Sequence, residues 1–181
     1  MSRADTVEGD ERLRLFLALE LPDQVAAELG AWSARFLDGG RPVASMHVTL
    51  AFLGSRPRSE LDSILCALRE TAARTAPFEL ELLRYRETRS VGMLVLRDEN
   101  GAATELATRL HARLERLGVY RPESRPWLPH VTVVRFRERL RLSPPPPELG
   151  SFAPSGAAAF LSRLHPTGAR YEVLESYPFS P

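Results

Sequence analysis

Two short segments of the chain carry residue types able to do chemistry: His47-Val48-Thr49-Leu50 and His130-Val131-Thr132-Val133. In an extended strand, residues two apart share a face. Each segment then shows one imidazole and one hydroxyl on one side and turns Val48 and Leu50, or Val131 and Val133, into the packing. An imidazole titrates at about 6.5, so near neutral pH one of a pair can hold a proton while the other lacks it. Hydroxyls can donate to phosphoryl oxygens whose charge shifts in the transition state. Hydrolysis of a cyclic phosphodiester asks for this combination. Water attacks phosphorus in line with the departing ribose oxygen, one imidazole takes its proton, and the other protonates the leaving group.

Two other readings stay open on these residues. One is a non-catalytic binder of RNA ends or nucleotides on the same frame. The other is a small α+β protein with two core histidines. The chain's remaining histidines, of four in all, read as structural. His111 falls on an apolar helical pattern, at its surface, and His165 precedes Pro166 at a turn.

The elements that must position the motifs can be outlined. Arg12 to Glu20 reads as a buried strand, and Asp23 to Leu37 has the period of a helix closed by Gly39-Gly40. Met46 to Leu53 is a strand stopped by Gly54 and Pro57. Ser59 then caps a helix with Ile64, Leu65 and Leu68 on one face. Strands are expected over 78–86 and 91–97, then a turn at Asp98 to Gly101 and a helix marked by Leu106, Leu110 and Leu114. His130 to Phe136 is the second motif strand. Pro144 to Pro147 forms a stiff connector, and two strands, 157–164 and 170–177, close the chain. This order gives an α+β fold with mostly antiparallel sheets. Each motif strand follows a helix and a Pro-containing segment, so two related lobes facing one another would bring the histidines together.

Phe52 and Arg135 each lie five residues beyond a motif histidine. A base could stack on Phe52, and the guanidinium fork of Arg135 could hold a phosphate. Five is an odd number, so a regular strand turns both away from the histidines; a bulge would be needed to bring them back. Arg135, Arg137, Arg139 and Arg141 together read as one solvated strand face.

Composition excludes several classes. All 24 basic residues are arginine. Without lysine there is no Gly-Lys-Ser/Thr phosphate loop, no Schiff base and no self-adenylating ligase. A net charge of +1 argues against a large duplex-binding surface. Cys66 stands alone, in an apolar helical pattern that suggests a small buried thiol, and no Cys/His cluster has zinc spacing. Residues 1–11 are polar and acidic and read as a disordered leader, leaving 12–181 as one domain. No apolar stretch approaches the roughly 20 residues of a membrane span, so a cytoplasmic protein without metal or cofactor is expected.

At its two motifs the chain resembles the 2H phosphoesterase superfamily, and within it the RNA 2′,3′-cyclic phosphodiesterases, also called 2′-5′ RNA ligases. The likeness extends over Arg12 to Pro22, His47 to Gly54, Trp127 to Arg135 and the closing segments Phe160 to Leu164 and Tyr171 to Leu174. The resemblance implies a bilobal, pseudo-twofold fold with two sheets facing a central cleft and helices outside. It implies His47 as proton donor to the 3′ oxygen, His130 as proton acceptor, Thr49 and Thr132 beside them, and Arg135 as a phosphate contact. The implied partner is RNA with a 2′,3′-cyclic phosphate end, tRNA halves and nucleoside cyclic phosphates included, acted on by a monomer that leaves a 2′-phosphate. ATP-independent 2′-5′ ligation would be the same chemistry reversed.

Overall fold

A computed structural model describes residues 11–180. The leader expected over 1–11 lies, apart from Glu11, outside the described residues. Glu11 is held at its backbone carbonyl by the Arg58 N–H. The elements in chain order are β1 (Arg12–Glu20), α1 (Asp23–Phe36), β2 (Arg41–Pro42), β3 (His47–Pro57), α2 (Leu61–Ala72), β4 (Leu80–Glu87), β5 (Val91–Arg97), α3 (Ala102–Arg116), β6 (His130–Arg135), β7 (Ser151–Phe152), β8 (Gly156–His165) and β9 (Gly168–Tyr177). The long elements fall close to where hydrophobic period places them, with two differences. β3 continues through Gly54 to Pro57. α2, expected to be capped by Ser59, starts at Leu61 after a 3-10 turn over Arg58–Glu60 that places Glu60 at the N-cap with no side-chain cap. β2 and β7, two residues each, are too short to show any period.

The α+β class and the antiparallel pairing are as expected. The two facing sheets are instead one continuous sheet, ordered β7-β4-β5-β6-β3-β1-β8-β9, with β2 beside β6. Its halves meet at a narrow seam, where Val48 of β3 pairs with Val131 of β6. The reason lies in what the motif strands bury. Val48, Leu50, Val131 and Val133 belong to the same buried cluster as Leu13, Leu15, Leu17 and Leu19 of β1 and the helix residues Leu29, Ile64, Leu68, Leu106, Leu110 and Leu114. The two strands share one helix layer, so they lie edge to edge rather than face to face.

Alternation along β1 separates the two faces. The odd-numbered leucines join the helix layer. Phe16 and Ala18, on the opposite face, form a second, smaller cluster with Ala158 and Phe160 of β8. One face of the sheet thus provides most of the apolar burial that stabilises the domain, and the other is left to carry the site.

Side chains tie down the loops. Trp32 of α1 donates its indole N–H to the carbonyl of Pro145, 2.9 Å away, which fixes the Pro-rich connector. Glu87, buried at the end of β4, accepts the backbone N–H groups of Arg141 and Leu142, both at 2.8 Å, and the Tyr85 hydroxyl. Burial pushes its carboxyl up, but these hydrogen bonds and that of Arg139 outweigh burial and hold it below the usual range. The expected solvated face from Arg135 to Arg141 is therefore a loop wrapped on Glu87. β6 ends at Arg135, and Arg141 adopts a left-handed φ of 59°. Cys66, expected in the core, is half-buried at the helix rim with its thiol 3.5 Å from a Glu70 carboxylate oxygen. No helix among the described residues is long and apolar enough to cross a membrane.

Candidate active site

His47 and His130 are the first residues of β3 and β6. Val48 opposite Val131 is the one ladder pair between β3 and β6 among the described residues, and antiparallel extension from it brings His47 toward Thr132 and Thr49 toward His130. All four lie on the face away from the helices. On a ladder extended from that pair the histidines are diagonal neighbours, a relation in which Cα atoms stand about 7–8 Å apart. Two imidazoles at that spacing can flank one phosphorus atom.

Both rings are anchored the same way. Nδ1 of His47 bonds the carbonyl of Ser45 at 3.1 Å, and Nδ1 of His130 bonds the carbonyl of Leu128 at 2.8 Å. A carbonyl only accepts, so Nδ1 carries hydrogen and donates. Nε2 is then the nitrogen left to take or give a proton.

The surroundings of the rings differ. His47 sits among Phe16, Phe160 and Tyr171, with ring centroids at 4.8, 5.6 and 5.6 Å. Burial among these rings lowers its pKa to about 4; the Ser45 carbonyl works against that, and the charges of Arg135 and His130 add to it. Among the described residues, no aromatic ring contact encloses His130.

Phe52 and Arg135 do reach the histidine side, and bulges bring them there. β1 pairs Ala18 with Thr49 and Leu17 with Ala51, which leaves Leu50 as the extra residue. β5 pairs Met93 with Thr132 and Gly92 with Val134, which leaves Val133 extra. Both extra residues lie three positions after the motif histidine, and each reverses the parity of the strand beyond it. A bulge also takes its residue out of the ladder. The carbonyl of Val133 accepts the hydroxyl of Ser33 in α1 at 3.1 Å, and that of Leu50 accepts Nε2–H of His111 in α3 at 2.7 Å. His111 is thus a half-buried bulge anchor rather than a surface residue. His165 sits at an exposed turn as expected, bonded to Thr167.

Beside the histidines opens a cavity of about 750 Å³, whose walls include Arg14, Arg41, Phe52, Arg135 and Tyr171. Phe52 is 65% exposed there. Trp127, just before β6, donates its indole N–H to the Thr49 carbonyl at 3.0 Å and so ties the halves together next to the site. Sequence reading named Arg135 but missed Ser33, the Trp127 tie, the aromatic enclosure and the cavity arginines Arg14 and Arg41. The alternation Arg14-Phe16-Ala18 was a usable signal for part of that wall; the bulge anchors had none. Among the described residues, no group of three or more His, Cys, Asp or Glu could hold a metal ion.

Paired histidine–threonine strands on one open sheet face define a fold of the 2H phosphoesterase type. The chain belongs to the 2′-5′ RNA ligase superfamily, whose family model matches residues 21–163. It is 30% identical to the RNA 2′,3′-cyclic phosphodiesterase of Escherichia coli (strain K12), over 92% of this chain and 97% of that protein. It is 33% identical to the Thermus thermophilus protein of the same name, over 91% and 89%. The crystal structure of E. coli LigT complexed with 3′-AMP superposes with a TM-score of 0.83 at 27% identity, covering 94% of this chain and all of that one. The LigT complex with phosphate gives 0.77, at the same identity.

Proposed function

We propose that this protein hydrolyses RNA ends carrying a 2′,3′-cyclic phosphate, leaving a 2′-phosphate, by general acid–base catalysis between His47 and His130 without a metal ion. The observation that carries the reading is the pair of anchored imidazoles, diagonal on one sheet face, each with Nε2 as its reactive nitrogen. The relatives named RNA 2′,3′-cyclic phosphodiesterase support the substrate class.

In this mechanism Nε2 of His130 takes a proton from water as the water oxygen bonds to phosphorus. The bond from phosphorus to the 3′ oxygen breaks, and Nε2–H of His47 protonates that oxygen. Thr49 and Thr132 donate to the non-bridging oxygens, and Arg135 adds a fixed positive charge. A His47 with its pKa near 4 is neutral in the empty site at pH 7. Burial is the largest cause of that depression; a bound phosphate anion offsets the smaller repulsion from Arg135 and His130 and adds its own attraction, which favours the imidazolium that an acid requires. A 5′-hydroxyl RNA end in place of water would run the sequence toward a 2′-5′ linkage.

The test is a short RNA with a 2′,3′-cyclic phosphate, incubated in EDTA. A 2′-phosphate product is expected. A 3′-phosphate product would place the acid on the other ribose oxygen, and inactivity that added metal restores would end the metal-free mechanism.

A further inference from the structure

Eight arginines elsewhere among the described residues pair with a carboxylate, among them Arg56 with Glu60, Arg97 with Glu81, Arg109 with Glu105 and Arg113 with Glu70. The arginines of the cavity beside the histidines lack such a partner among the described residues. Arg41 of β2 and Arg135 of β6 are direct cross-strand partners, so their side chains share a face. Like charges directly opposite one another destabilise a sheet. Neither arginine, nor Arg14 of β1, has an ion pair or side-chain hydrogen bond among the described residues. No Asp or Glu lines the cavity.

Arg41 is also given a seat. Gly168, in the turn between β8 and β9, has a φ of +128°, and a Cβ built on it would lie 3.2 Å from Nη1 of Arg41. A glycine at that point lets the guanidinium lie against the turn, over the cavity. Arg14 alternates with Phe16 and stands on the same open face of β1. Arg135 reaches both regions, since its charge is felt by His47 and it opposes Arg41 in the ladder. A volume of about 750 Å³ is far more than one phosphate fills, and lies in the range that accepts a drug-sized ligand.

We infer that Arg41 and Arg14, together with Arg135, form a second anion subsite that holds the phosphate on the 5′ side of the RNA's terminal nucleotide. The inference rests on the phosphodiesterase reading above and names the substrate more closely: a strand with at least one further phosphate. With the cyclic phosphate between the histidines and the terminal base against Phe52, the next phosphate of the strand is one nucleoside away. It supplies the negative charge that the paired arginines lack.

The experiment compares kcat/KM on uridine 2′,3′-cyclic phosphate, the same compound with a 5′-phosphate, and the dinucleotide ApU with a 2′,3′-cyclic end. The added 5′-phosphate is expected to raise kcat/KM about tenfold or more, the scale of one charge-assisted hydrogen bond. Attaching the second nucleoside should add less. In Arg41→Gln and Arg14→Gln most of the phosphate's gain disappears. The readout is the ratio between substrates within each variant, so a general loss of active protein cancels. Both positions are solvent-exposed, and thermal melts check folding. Equal rates on the first two substrates, or a gain that survives in both variants, would overturn the subsite while leaving the phosphodiesterase intact. Turnover of none of the three would overturn the phosphodiesterase reading, and the subsite with it.

Discussion

β3 and β6 begin with the same three residues, anchor their histidines through the same Nδ1–carbonyl bond two residues back, and bulge at the same third position. Beyond that they diverge. His47 is enclosed by three aromatic rings and offers Phe52 five residues later; His130, with no aromatic ring contact among the described residues, offers Arg135. The support is crossed as well. α1, which precedes β3, holds the bulge of β6 through Ser33, while α3, which precedes β6, holds the bulge of β3 through His111. Twofold backbone geometry places two chemically identical groups, and the side chains around them make the groups unequal. Burial by those rings depresses the pKa of His47, so the acid role proposed for it depends on the charge of the bound phosphate.

The equal part of the comparison carries the largest expected effect. His47→Ala and His130→Ala should each lower turnover by roughly 10²-fold or more with circular dichroism unchanged. A variant that kept near-normal rates would show that one motif is only structural. The unequal part comes next. Arg135→Ala should raise KM by about tenfold, from the loss of a charge-assisted contact, and Phe52→Ala by only a few-fold. Steady-state kinetics on a cyclic-phosphate RNA separates the two, and equal effects would break the distinction.

Acidity tests the enclosure. Burial holds His47 near pH 4 in the free enzyme, so the kcat/KM profile should carry a limb there. In the kcat profile, which reports the substrate complex, the phosphate anion moves that limb upward. Phe160→Leu opens the enclosure and should move the kcat/KM limb up toward about 6.5. An unmoved limb would show that the rings are not the cause. The same depressed value has a folding signature: the unfolded chain binds the proton more readily, so this contribution to stability is present above about pH 6.5 and is lost as the pH falls toward 4. The smallest effect is on the bulge. Ser33→Ala leaves the Val133 carbonyl unpaired and should cost about 1–3 kcal/mol in denaturant unfolding.

Much of this was readable without coordinates, because alternation in a strand and period in a helix are local. The motif residues, the long elements and the antiparallel α+β class came from such patterns. The single sheet did not. Whether two apolar strand faces pack against each other or side by side on one helix layer depends on partners far away in the chain, and no spacing in β3 or β6 records it. Phe52 and Arg135 show a second kind of limit. Parity pointed them away from the histidines, and parity failed because Leu50 and Val133 are bulged. A bulge is set by cross-strand register and by a helix side chain able to satisfy its carbonyl, and neither shows in the strand's own residues. The aromatic enclosure of His47 likewise draws on β1, β8 and β9 at once.

The indole hydrogen bond at the seam gives the molecule its own optical gauge. Of the two tryptophans, Trp32 is committed to the connector at Pro145, while Trp127 is bonded to the backbone of a motif threonine. Fluorescence from Trp127 therefore reads the spacing of β3 and β6 directly. With Trp32 replaced by Phe, its emission colour becomes a label-free record of how the face carrying the two histidines responds to an added nucleotide.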